Sequence, residues 1–175
     1  MKRLLLIPLL SLTLHADPTV HHPADWELGT TFPDQPQLSE KESLMADGRK
    51  LVESRAILEQ NDESYLMECV MLPWAPVGPQ RATAYDAGLA AMLRTNPRTL
   101  RSQEKILICG HDGRRYLIES KDGTRITDHR VVFIGSKLFV FACERPSKAA
   151  NSPAADTFFA KITGKTPAQK AGKKD

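Results

Sequence analysis

The apolar residues of this chain recur at two periods, and the changes of period divide it into elements. In "KLVESRAILE", Val52, Ser54, Ala56 and Leu58 share one strand face, while "SYLMECVML" is apolar on both faces. The polar "QNDE" between them predicts a hairpin with a four-residue turn, its second strand nearer the centre of a sheet. Further on the period lengthens. Tyr85, Leu89, Met92 and Leu93 stand at i, i+4, i+7 and i+8, the stripe of an amphipathic helix. Thr83 and Asp86 have the spacing of a capping box at its start, and Asn96-Pro97 ends it.

From Glu104 the short period returns in four close runs, "EKILIC", "RRYLIES", "RITDHRVVFI" and "LFVFACE". Asp112-Gly113, Asp122-Gly123 and Gly135-Ser136 separate them as turn pairs, which predicts an antiparallel meander. "SPAADTFFAKITG" closes the pattern as a short helix. Ser152 is its N-cap, Pro153 its first residue, and Ala155, Phe158, Phe159 and Ile162 its buried stripe, with Gly164 after it.

Other segments are less regular. "WELGTTFPDQPQL" offers a short strand ending near Phe32, stopped by Pro33 and Pro36. Residues 39–48 are polar, with no period that selects helix or strand. "PWAPVGP" reads as a stiff loop, because proline lacks the amide donor and fixes φ. At 175 residues the chain suits one domain with a real core. The expected class is α/β (α+β type): a mostly antiparallel sheet of a hairpin plus a four-strand meander, packed by a central helix and a C-terminal helix.

The start of the chain changes the picture of where the protein works. Lys2 and Arg3 precede an apolar run from Leu4 to Leu14, then Ala16, the layout of a secretory signal peptide cut after residue 16. The run is shorter than the ~20 residues that span a bilayer, so the mature chain is expected to have no transmembrane segment. The expected boundaries are a signal peptide at 1–16, a flexible lead at 17–25, the domain at 26–163 and a disordered basic tail at 164–175. The expected location is periplasmic or secreted.

Charge removes one class of partner. Losing Lys2 and Arg3 lowers the formal charge from +3 to +1, and much of the rest sits in the tail. The domain therefore lacks the basic stripe of a nucleic-acid binder.

Cofactor motifs are also missing from the sequence, which has no GxGxxG, P-loop or HExxH pattern. Cys69, Cys109 and Cys143 form no CxxC pair. After export, Cys69–Cys143 is the candidate disulfide; buried free thiols are the alternative, since each lies in an apolar run. His21-His22, near Asp17 and Asp25, suit adventitious metal contact rather than a built site, so no metal or other cofactor is expected.

Two clusters and one aromatic invite a binding role. His111 and Asp112 beside Arg114 and Arg115 could contact a small anion at a hairpin end, although the Asp-Gly pair reads first as a turn. Asp128-His129-Arg130 lies mid-strand, where Asp128 and Arg130 share a face and His129 points away, a poor start for an Asp-His dyad. Trp74, in its Pro-rich loop, is a candidate anchor for a protein partner.

The order of these pieces resembles a known family. "FPDQP" is similar to an "FP-x-x-P" opening, and "SYLMECVMLP" and "YDAGLAAMLRTN" to a central strand and crossing helix. "ILICGHDGRRYLIESKDG" is similar to a "G-x-P-G-R" hairpin, "FIGSKLFVFACERP" to the following strand pair, and "DTFFAKI" to an "F-x-x-S-F" closing helix. The set, from Trp26 to Ile162, resembles the PsbP-like α/β family of small exported bacterial proteins. His111-Asp112-Gly113 stands where that family has Pro-Gly, and Ala160-Lys161 where it has Ser-Phe. The resemblance implies a shape and a binding or accessory role, and brings no catalytic residues.

The expectation is therefore an exported, non-catalytic binding or accessory protein of the cell envelope. Its candidate surfaces are Trp74 and the His111, Arg114, Arg115 edge, with an unknown protein or small anionic ligand as partner. The alternatives are a small secreted hydrolase using His129 or His111 with a carboxylate, and a small-ligand carrier with an apolar cavity between helix and sheet.

Overall fold

In the computed structural model, residues 18–45, 47–95, 98–149 and 152–165 are described. The expected signal peptide, the Asn96-Pro97 stop and the tail beyond Lys165 lie outside them. The elements run β1 (Thr19–His21), β2 (Leu28–Phe32), β3 (Gln37–Leu44), β4 (Lys50–Gln60), β5 (Glu63–Met71), α1 (Pro79–Thr95), β6 (Arg98–Ile108), β7 (His111–Ser120), β8 (Arg125–Ile134), β9 (Lys137–Pro146), α2 (Pro153–Ala160) and β10 (Thr163–Gly164).

Seven strands form one antiparallel sheet in the order β3-β4-β5-β9-β8-β7-β6, and β1-β2-β10 form a second, three-stranded one. Ten strands against two helices make the protein mostly β, which overturns the expected α/β class. The extra strand comes from segments without apolar alternation. β3 is exposed along almost its whole length and is held by its backbone register to β4. As an edge strand it buries neither face, so its sequence carries no period. β6 likewise starts at Arg98 rather than Glu104, with a register shift between Leu100 and Ser102. Within the segment read as a flexible lead, Thr19–His21 pairs with β2, and at the other end Gly164 belongs to β10.

Turn chemistry relocates two loops. The β4–β5 hairpin turns on two residues, Asn61 and Asp62, both at positive φ. Asn and Asp tolerate that region, as a tight type I′ turn requires. The β6–β7 turn is Cys109-Gly110, at φ 48° and 83°, and not Asp112-Gly113, which lie inside β7. Gly110 supplies the positive φ there, and His111 becomes the first residue of a strand.

The large sheet is covered on both faces. On one, α2 and the small sheet bring Trp26, Leu28, Phe32 and Phe158 onto Tyr65, Met67, Phe139 and Phe141. Phe158 lies 5.2 Å from the Phe32 ring and 5.4 Å from the Tyr65 ring, and its burial contributes about 1.5–3 kcal/mol. Ser152 caps α2 by accepting from the Ala155 amide at 3.1 Å. On the opposite face α1 lays Tyr85, Leu89, Met92 and Leu93 over Tyr116, Ile118, Val131, Phe133 and Val140. This helix starts at Pro79, so Thr83 and Asp86 lie within it and cap nothing.

Candidate functional site

The helix-covered face carries a groove of about 300 Å³ between α1 and strands β5, β9 and β8. Leu66 and Val70 of β5, Leu138 and Val140 of β9, and Leu89 and Met92 of α1 give it apolar walls. Tyr85 fixes the helix above it. Its hydroxyl donates to the Asp112 carbonyl at 2.9 Å and accepts the Phe133 amide at 3.1 Å, pinning α1 to two strands. The Tyr116 hydroxyl adds a bond to the Tyr85 carbonyl at 3.4 Å.

Gly88 lies on the groove side of α1, and a Cβ built there would meet nothing within 4 Å. Glycine in a helix interior costs about 0.5–1 kcal/mol relative to alanine. Here no steric demand requires it, and what it leaves is width in the groove.

Two polar side chains line the apolar walls. His129, on β8, has a buried Nδ1 with no hydrogen-bond partner, and burial, then the nearby Arg98 charge, push its pKa down to about 4. The imidazole is therefore neutral at ordinary pH. Glu68, on β5, has its pKa raised by burial and accepts a hydrogen bond from Arg55 Nε at 2.5 Å. Arg55 also bonds Glu53 at 2.9 Å, so the acid of the groove is internally paired and the His129 Nδ1 is the polar atom left open. The lining thus suits an apolar, uncharged guest.

The residues singled out from the sequence do not converge. Arg114 points to the α1 face, its guanidinium 5.0 Å from the centre of the Tyr85 ring. Arg115 points to the other face, where it bonds Asp128. His111 is exposed at the start of β7. Alternation within the strand puts Arg114 on the face opposite to His111 and Arg115, so the three do not form one anion-contacting edge. Trp74 is 40% exposed, with the Arg49 guanidinium 4.9 Å over its ring.

The expected chemistry of the cysteines and histidines is also dispersed. Cys69 sits opposite Phe139 and Cys143 opposite Tyr65, four residues apart in one register. That is roughly 13 Å along the strands, whereas a disulfide needs Cα atoms about 4.4–6.8 Å apart. All three cysteines are free, and only Cys109 is exposed. His129 and Asp128 occupy opposite faces of β8, and His129 Nδ1 meets no carboxylate. No group of three metal-ligating side chains occurs among the described residues. No helix among them is long and apolar enough to cross a membrane.

Gly88, Glu68 and the groove position of His129 were not found from the sequence as a site. The traces are a glycine within "YDAGLAAML" and an acid within "SYLMECVML", each breaking the pattern of its element.

No family model matches the chain, and no curated protein matches it. A crystal structure of a protein from Bacteroides thetaiotaomicron VPI-5482 is similar at a TM-score of 0.42 and 12% identity, over 81% of this chain and 46% of that one. The present chain spans less than half of that protein's length.

Proposed function

We propose that the protein is a non-catalytic binding protein of the cell envelope that carries a small apolar ligand in the groove beneath α1. The observation that carries this reading is the groove itself: about 300 Å³, apolar-walled, and kept wide by Gly88. That volume lies at the lower end of small-molecule sites, which run from about 300 to 1,000 Å³. The neutral His129 ring and the paired Glu68 give the guest no unpaired charge to meet. The signal-peptide-like leader and the ordered resemblance to PsbP-like exported proteins support the envelope part of the reading.

The test is titration with phenylnaphthylamine, an uncharged apolar dye that brightens in a dry site. Wild type is expected to bind saturably, and Gly88→Leu, which fills the groove from above, to bind at least about tenfold more weakly with its melting temperature retained. Equal binding by the two proteins, or no saturable binding by wild type, would overturn the reading.

A further inference from the structure

The opposite face of the sheet holds a second, chemically different recess. A trough of about 310 Å³ runs between the edge strand β6 and the end of α2. One end is apolar, lined by Ile106, Ile108 and Phe159. The other is charged: Glu104, Arg115 and Arg130 stand in one row across β6, β7 and β8.

These charges are not equally occupied. Asp128 is spent on Arg115, which takes it with Nε at 3.1 Å and Nη2 at 2.8 Å. Arg130 lies 3.8 Å from the same carboxylate, and Glu104 lies 3.8 Å from Arg115, both beyond hydrogen-bond reach. Neither the Arg130 nor the Glu104 side chain makes a hydrogen bond among the described residues. The Arg130 Nε is buried without a partner, and its guanidinium packs 4.0 Å over the Phe159 ring. One trough therefore contains a guanidinium with an orphaned Nε, a half-exposed carboxylate held only in a 3.8 Å ion pair, and an apolar floor.

We propose that this trough binds a free α-amino acid with an apolar side chain. Its carboxylate would meet Arg130 and the remaining donors of Arg115, where a planar guanidinium suits two oxygens. Its ammonium would meet Glu104, and its side chain would lie on Ile106, Ile108 and Phe159. A bare anion is a poorer guest, because Asp128, Glu104 and, from α2, Asp156 offset the paired positive charges of Arg130 and Arg115. A zwitterion offers a hydrogen-bonding partner to both Arg130 and Glu104 without adding net charge. This site stands apart from the groove beneath α1, on the other face of the sheet.

The experiment is calorimetric titration of the full chain with L-leucine, isocaproate and isoamylamine, which share one apolar body. Leucine is expected to bind at least about tenfold more tightly than either singly charged analogue. Arg130→Gln should abolish leucine binding. Glu104→Gln should weaken leucine and tighten isocaproate, because it removes the ammonium partner and a carboxylate that repels the acid. Both variants should still bind phenylnaphthylamine as wild type does, which separates loss of this site from loss of the fold or the groove. No heat with leucine, equal affinity for leucine and isocaproate, or unchanged binding by Arg130→Gln would each overturn the proposal.

Discussion

Arg115 meets Asp128 through two nitrogens, Nε 3.1 Å from both carboxylate oxygens and Nη2 2.8 Å from one of them, although the two residues lie on different strands. The carboxylate is the more deeply sunk partner, with Asp128 only 3% exposed. A buried acid whose close hydrogen-bond donors, among the described residues, all sit on one arginine makes a sharp demand on that arginine. Arg115→Leu is expected to lower stability by about 2–3 kcal/mol, because it strands a charge that water cannot reach. Arg115→Leu combined with Asp128→Leu should recover most of the loss. Urea denaturation checks both; a single-variant loss below about 0.5 kcal/mol would mean the pair is no more than a surface contact.

Gly88 gives a prediction of opposite sign. Space is open where its Cβ would go, and the residue is inside α1. Gly88→Ala is therefore expected to stabilise the protein by about 0.5–1 kcal/mol, with most of the gain coming from the restricted unfolded chain. The urea midpoint should rise at unchanged slope. Destabilisation instead would mean that α1 needs the glycine for its own geometry and not for the width of the groove.

Elements that bury one face were legible from the sequence, and elements that bury neither were not. α2 buries Ala155, Phe158 and Phe159 of its expected stripe but ends at Ala160, ahead of Ile162, and the β8–β9 turn falls at Gly135 as its pattern requires. β3 was invisible because Ser39, Glu40, Lys41 and Glu42 are exposed, and backbone pairing with surface contacts such as Lys50–Glu42 and Ser54–Glu40 holds the strand without any apolar period. The class was misjudged for the same reason, since polar edges and short pairings add strand without adding period. The β6–β7 turn was misplaced because Asp112-Gly113 is the stronger turn pair by preference. The register that buries Ile108 and Tyr116 overrides it, putting Cys109 into a positive φ. The groove was out of reach because it lies between elements distant in sequence, and pattern within an element says nothing of the space between two.

The cysteines separate the structure from the disulfide expected on export. Burial pushes the Cys69 thiol up to about 12 and the Cys143 thiol up to about 11, so neither offers thiolate at neutral pH. Native protein treated with iodoacetamide is expected to take up a single label, at Cys109, and unfolded protein to take up three. Mass measurement after peptide digestion reads both numbers. Recovery of a Cys69–Cys143 crosslink from freshly exported protein would contradict the register of β5 against β9.

His129 should make the protein acid-sensitive over a defined window. Its folded pKa lies at about 4, depressed from 6.5 chiefly by burial. Below pH 6.5 the unfolded chain takes up a proton that the folded chain refuses, so stability falls with pH until about 4, where both forms are protonated. The full span corresponds to at most about 3 kcal/mol. His21, also depressed by burial, acts with the same sign, while Glu68, whose pKa is raised by burial, acts with the opposite one. Asp122, held down at about 2 by bonds from Ser120 and Thr124, acts below its unfolded value of 3.8, at the acid edge of the window. The difference between wild type and His129→Gln isolates the histidine from all three. Urea midpoints taken between pH 7 and pH 4 should fall more steeply for wild type than for the variant. Parallel curves would show that the folded imidazole titrates as it does in the unfolded chain, and a ring that charges on mild acidification would not give the groove the neutral lining it requires.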